Sequence, residues 1–171
     1  MNYSRLITAG IVLSLVALPG CIRYSFTGTS IPADVSTIYI PFFPDQSTGG
    51  LGDLSDQLNR ALINRFVNQS RLSLSNDEES ADAFIDGAIQ SYINRPFSIG
   101  GNQQANLNEI QITVRASFQY ARDDSPLWSK SFSGSATYDV QQNPVDGEIE
   151  AAFSALQQIS NNMFNDAVSN W

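Results

Sequence analysis

Apolar and polar residues alternate most regularly over Ile110–Ala121. Ile110, Ile112, Val114, Ala116, Phe118 and Tyr120 share one parity, and Gln111, Thr113, Arg115, Ser117 and Gln119 share the other. A period of two sustained over that length predicts a strand with one buried face and one face toward water or a partner. Leu127–Tyr138 repeats the pattern, with Trp128, Phe132, Ala136 and Tyr138 set against a hydroxyl row at Ser129, Ser131, Ser133, Ser135 and Thr137. Asp123-Asp124, within Arg122–Pro126, supplies turn residues, so the two strands read as a hairpin. Val35–Phe43 reads as a first strand with Ile38, Ile40 and Phe42 on one face. Pro41 and Pro44 place it at an edge or end it early, because proline cannot donate to a ladder. Leu72–Leu74 is a short strand. Ala83–Tyr92 is a further strand of less regular pattern, since Phe84-Ile85 sets an apolar residue on each face.

The period lengthens to three and four residues in two stretches. Leu51, Leu54, Leu58, Leu62 and Phe66 mark a helix over Leu51–Asn68, with Asp56, Arg60 and Asn64 opposite. Asp53 lies in its opening turn, where a negative charge suits the helix dipole. A final helix begins at the cap Asn143 with Pro144 in first position, and Asp146, Glu148 and Glu150 favour its N-terminus. Its apolar stripe is Ile149, Ala152, Phe153, Leu156, Ile159, Met163 and Ala167. Asn76–Asp82 reads as an acidic loop, and Arg95-Pro96 to Asn108 as a loop containing Gly100-Gly101. The order strand, helix, three or four strands, helix implies an α+β fold. It is a two-layer sandwich in which a mostly antiparallel four- to five-stranded sheet carries two long helices on one face.

The beginning of the chain follows a different logic. Arg5 precedes an apolar run, Leu6–Leu18, and Leu18-Pro19-Gly20-Cys21 closes it. A run of roughly 7–15 apolar residues is a signal-peptide core, short of the about 20 that span a membrane. Leu18, Gly20 and Cys21 match a bacterial lipobox, and Pro19 departs from its usual residue choice. Cys21 is the one cysteine of the chain. Lipidation there explains an otherwise odd thiol in an exported protein. More than one acyl chain, at about 0.8 kcal/mol per buried methylene, anchors stably. The expected organisation is residues 1–20 as signal peptide, 21–34 as lipidated tether and 35–171 as a single domain.

Charge and composition narrow the chemistry. The net charge is −8, or −9 once Arg5 leaves with the signal segment. That is a poor balance for nucleic acid. Histidine is absent, which removes the commonest metal ligand and general base and, with Cys21 lipidated, the Ser-His and Cys-His nucleophile systems. Asp77-Glu78-Glu79 with Asp82 lacks the ligand alternation and glycine of a calcium loop. Gly49-Gly50-Leu51-Gly52 lacks the Lys-Ser/Thr of a phosphate loop. No cofactor, metal or catalytic residue is expected. Arg115 and Lys130, on the two most regular strands, are the candidates for holding phosphate groups of a lipid headgroup. Arg115 falls on the polar face, whereas Lys130 shares the parity of Trp128 and Phe132 and must lie at an edge or snorkel. The polar face as a whole is rich in Ser, Thr, Gln and Asn and poor in charge, a composition suited to a polar barrel lumen.

Four segments carry a resemblance to a known family: Tyr24-Ser25-Phe26-Thr27-Gly28-Thr29-Ser30-Ile31-Pro32, Ile38-Tyr39-Ile40-Pro41-Phe42-Phe43-Pro44, Leu107-Asn108-Glu109-Ile110-Gln111-Ile112-Thr113-Val114 and Phe164-Asn165-Asp166-Ala167-Val168-Ser169-Asn170-Trp171. Over nearly the whole mature chain they resemble the LptE family of lipopolysaccharide-assembly lipoproteins, in the form found in Bacteroidetes-like bacteria. The resemblance implies a role without a reaction. The protein would be a periplasm-facing lipoprotein of the outer membrane that plugs an LptD-type β-barrel, helps it assemble and assists delivery of lipopolysaccharide. Lipopolysaccharide itself is an implied ligand; the resemblance assigns it no residue here, and Arg115 and Lys130 are its candidate contacts from their strand positions alone. Two other classes stand beside this one: an auxiliary periplasmic lipoprotein of an ABC-type lipid transport system, and a carboxylate-dependent enzyme, for which no acid pair stands at an informative spacing.

Overall fold

The computed structural model describes residues 31–97 and 107–169. The signal segment, Cys21 and Gly100-Gly101 lie outside the described residues. The elements are β1 (Thr37–Tyr39), α1 (Leu54–Ile63, continuing as a π-helical turn over Asn64–Asn68), β2 (Ser73–Leu74), β3 (Ala83–Phe97), β4 (Leu107–Tyr120), β5 (Trp128–Asp139) and α2 (Asp146–Ser169). One five-stranded sheet has the order β2-β1-β3-β4-β5. β3, β4 and β5 form an antiparallel meander, whereas β1 runs parallel to both β2 and β3. The sheet is therefore mixed. A parallel pair needs a crossover, and α1 supplies it between β1 and β2.

Both helices cover one face. Leu54, Leu58, Leu62 and Phe66 are buried beneath α1, as the three-and-four spacing requires. The Phe66 ring stacks on Phe118 of β4 at 6.2 Å, and Phe118 stacks in turn on Trp128 of β5 at 5.9 Å. Phe66 also meets Phe164 of α2 edge-on at 5.2 Å. These rings join α1, two strands and α2 into one core, each pair adding about 0.5–1.5 kcal/mol beyond its buried area. α2 lies directly on β5. At Gly134 an added Cβ would stand 2.2 Å from the carbonyl oxygen of Ala155, so the close approach of helix to strand depends on a residue without a side chain.

Three details differ from the sequence pattern. β3 continues through Arg95-Pro96 to Phe97, where a loop is expected. A bulge explains the irregular periodicity: Ile89 pairs with Val114 and Ser91 with Thr113, leaving Gln90 as the extra residue. The buried parity shifts there, so Ile85 and Ile89 are buried before it and Tyr92 after it. Pro96 is tolerated because β1 pairs only with Ala83 and Phe84, leaving the far half of that edge without a ladder. In the first strand, Ile38 and Ile40 are buried as expected, but Phe42 is 63% exposed and Phe43 is 1% exposed. The ladder of β1 ends at Tyr39, and beyond it Pro41 breaks the alternation. On α2, Ile149 and Phe153 are 40% and 41% exposed. Small side chains let the helix sit close to β5, so Ala151, Ala152 and Ala155 occupy the core instead.

Candidate functional site

The face of β3–β4–β5 away from the helices is a polar surface of regular construction. Register places it residue by residue. On β4, Gln111, Thr113, Arg115, Ser117 and Gln119 are outward, while their neighbours Ile110, Ile112, Val114, Ala116 and Phe118 are buried. Thr113 pairs with Ser133, Arg115 with Ser131 and Ser117 with Ser129. The two rows expected from the sequence therefore meet on one surface. Thr113 Oγ1 and Ser133 Oγ lie 3.0 Å apart. The Ser117 hydroxyl donates to Asp86 of β3. Arg95 donates from Nε and Nη2 to Glu109 Oε2 at 2.9 and 2.7 Å, closing the far end of the face with a charge pair. The centre is left to hydroxyls, amides, Arg115 and Asp86.

Arg115 stands across from Ala88 and Ser131, beside a shallow depression of about 380 Å³ that includes Gln46, Asp86, Gln90, Ser117 and Ser129. Among the described residues, Arg115 is the one arginine whose guanidinium has no hydrogen bond, ion pair or ring contact. It is thus available to an external carboxylate or phosphate. Lys130 is elsewhere. It pairs in register with buried Ala116, so it points toward the helix layer at the open edge of β5. There its Nζ lies 2.6 Å from Asp166 Oδ2 and 5.3 Å from the centre of the Phe132 ring. The two candidate cations occupy opposite faces of the sheet and do not form one cluster. Period-two parity already separates them.

Sequence reasoning missed Asp82, which it placed in a solvated acidic loop. Its Oδ2 accepts from the backbone N–H groups of Ser36 and Thr37 at 2.8 and 2.9 Å, and from both their hydroxyls at 2.9 Å. Those four donors, the Ser36 N–H foremost, hold the carboxyl down from its ordinary 3.8 to about 2. The clamp fastens the start of β1 to the start of β3. No local pattern signals it, because donors and acceptor are far apart in the chain. At the opposite end of the sheet, Tyr92 donates its hydroxyl to Glu148 Oε1 at 2.6 Å, and Asn94 Nδ2 donates to Tyr138 Oη at 2.8 Å. Burial, then the Glu148 contact, pushes the Tyr92 hydroxyl far up. Burial likewise raises Tyr120. Among the described residues, no group of three or more His, Cys, Asp or Glu side chains converges as a metal site, and no helix is long and apolar enough to cross a membrane.

Several solved structures share this architecture. A Xanthomonas campestris protein superposes with a TM-score of 0.53 at 13% identity, over 80% of this chain and 87% of its own. The dodecameric PelC of Paraburkholderia phytofirmans gives 0.50 at 11% identity, over 82% and 93%. A hypothetical protein of Chlamydia trachomatis gives 0.50 at 9% identity, over 78% and 93%. At these identities the likeness is one of fold. No curated protein sequence matches. The family model described as "LptE: Lipopolysaccharide-assembly" matches residues 35–170, the whole of the two-layer domain. With the mixed sheet, the paired helices and that match taken together, the chain belongs to the LptE family of lipopolysaccharide-assembly proteins.

Proposed function

We propose that this protein is a lipoprotein of the outer membrane, anchored through Cys21 and facing the periplasm, that serves as plug and assembly partner of an LptD-type β-barrel in lipopolysaccharide transport. Residues 1–20 are removed as a signal peptide, and 21–34 tether the domain to the lipid. The observation that carries the reading is the outer face of β3–β5. One side of the sheet is sealed by two helices, and the other is a wide surface of hydroxyls and amides with few charges. A barrel interior is polar and presents hydrogen-bonding groups. A face of this kind fits it largely by neutral hydrogen bonds, and the charge at its centre, Arg115, needs an anionic partner there. The role is one of assembly and positioning, and no reaction is assigned.

Arg115 lies near the centre of that face and is its free cation. In this reading it engages a carboxylate of the barrel wall or a phosphate of lipopolysaccharide. Lys130 is paired with Asp166 on the other side of the sheet, so any contact with lipopolysaccharide competes with that carboxylate for its charge. The test is a photocrosslinking amino acid placed in turn at Thr113, Ser131 and, on the helical side, Asn161, in cells at native expression. Adducts with a large outer-membrane barrel at Thr113 and Ser131 support the proposal. Absence of a barrel adduct at both positions refutes it. Adducts with inner-membrane transporter subunits instead would establish the alternative, an auxiliary lipoprotein of an ABC-type lipid transport system.

A further inference from the structure

The helical side carries a second construction that the barrel reading does not use. α1 runs antiparallel to β1 (Asn59 Nδ2 reaches Ile40 O, Ser55 Oγ reaches Phe43 O), and α2 runs antiparallel to β5, so the helices lie parallel. A groove of about 410 Å³ lies between them, with Arg60, Asn64 and Arg65 on one wall and Phe153, Gln157 and Asn161 on the other. Among the described residues no carboxylate lines it, in a chain whose net charge is −8.

Arg65 is held in place by neutral groups. Its guanidinium carbon sits 4.1 Å over the Phe164 ring, Nη1 donates to Gln69 Oε1 at 3.2 Å, and Nη2 donates to Asn165 Oδ1 at 3.5 Å. Its Nε is buried with no partner. The side chain is therefore ordered in advance while its charge is unneutralised, which lowers the entropic cost of meeting an anion. The π-helical turn Asn64–Asn68, closed by Gln69 N–H to Asn64 O at 3.1 Å, sets Arg65 toward α2. Arg60 has only Asp56, 4.0 Å away and with both groups exposed, a contact that contributes little and exchanges readily. Leading into the groove, Val145 just before α2 and Ile149 and Phe153 on it form an exposed apolar row at four-residue spacing.

We propose that this groove docks an extended acidic segment of a protein partner. Two carboxylates meet Arg60 and Arg65, backbone amides meet Asn64, Gln157 and Asn161, and an apolar side chain rests on the Phe153 row. Three features favour a peptide over a phosphate-bearing lipid. Five helical positions separate the two arginines, roughly 7.5 Å of rise, and carboxylates two residues apart on an extended chain lie about 6.8 Å apart. Each amide side chain offers a donor and an acceptor, which matches a backbone and leaves its carbonyl unpaired against phosphate. Among the described residues only Phe153 and Ala61 are apolar in the lining, enough for one side chain and too little for acyl chains.

The full chain in non-ionic detergent is titrated against a capped, fluorescein-labelled peptide, Leu-Ser-Glu-Ser-Glu-Ser, by fluorescence polarisation. Saturable binding is expected. It should weaken at least tenfold in the double variant Arg60→Gln, Arg65→Gln, and likewise in Asn161→Glu, which adds a like charge at an exposed position and leaves the packing intact. Arg122→Gln, in the β4–β5 turn and outside the groove lining, should bind as the parent does. The Leu-Ser-Gln-Ser-Gln-Ser peptide should not bind. The proposal is overturned by no saturable binding, by equal binding of the Gln peptide, or by folded groove variants that bind unchanged. It is equally overturned if inorganic phosphate or dihexanoyl phosphatidylglycerol displaces the peptide more effectively than unlabelled peptide does. Because the groove and the sheet face lie on opposite sides, a failure here leaves the barrel reading to its own crosslinking test.

Discussion

Gly134→Ala probes the contact on which the two layers depend. A glycine in a strand ordinarily costs roughly 0.5–1 kcal/mol in backbone entropy relative to alanine, so propensity alone predicts that the substitution stabilises. The tertiary contact predicts the reverse. The new Cβ would lie 2.2 Å from Ala155 O, 3.0 Å from its carbonyl carbon and 3.1 Å from Ile159 Cγ1, where ordinary contacts begin near 3.4 Å. The nearest obstacle is helix backbone and cannot rotate aside. α2 must retreat from β5 by about 1 Å, a gap that forfeits a quarter to a half of the dispersion well for each facing atom. Overpacking of this kind costs about 1–3 kcal/mol, and the backbone clash argues for the upper end. At roughly 2–4 °C per kcal/mol for a chain of this size, Tm should fall by about 6–12 °C. Thermal unfolding by circular dichroism, with Ser133→Ala on the outer face as control, reads this directly. A Gly134→Ala protein as stable as the parent, or more so, would refute the close approach of α2 to β5.

Asp82→Asn should destabilise the domain at neutral pH by weakening the clamp between β1 and β3. The carboxyl is held below its unfolded value, so its contribution is present above pH 3.8 and is lost as pH falls through about 2. Denaturant midpoints of parent and variant should converge as pH falls from about 4 through about 2, and a gap as wide at pH 2 as at neutral pH would contradict the assignment. Lys130→Gln should change stability by less than about 1 kcal/mol, since the pair with Asp166 is half exposed at the sheet edge; a larger loss in urea unfolding would mean that the pair bears structural weight. Cys21→Ser should leave an unprocessed or soluble chain, and normal membrane fractionation of that variant would remove the lipid anchor from the proposal.

The readability of the candidate site in the sequence was uneven for a physical reason. The outward rows of β4 and β5 were legible because each strand buries one face, and a period of two records that burial whatever the partners are. The separation of Arg115 from Lys130 followed from the same parity. Arg115's lack of a partner did not, since it depends on which acids the fold brings near. Asp82, the Tyr92–Glu148 contact and the Lys130–Asp166 pair are all meetings between distant segments, and none leaves a local trace.

By itself the sequence determined that there are two amphipathic helices and a two-faced hairpin. It also determined that the chain is acidic, without histidine, and led by a segment ending at Cys21. Those properties belong to single elements or to composition, and hydrophobic periodicity encodes them directly. The tertiary structure decided the rest. It made the sheet mixed, because α1 carries the chain across between parallel β1 and β2. It moved burial from Phe42 to Phe43 where the ladder ends, and changed the parity of β3 at Gln90. It also turned Ile149 and Phe153 out of the core, because alanines bring α2 against Gly134 more closely than large side chains allow. Each of these is a choice among partners, and a pattern within one segment cannot encode which partner it will meet.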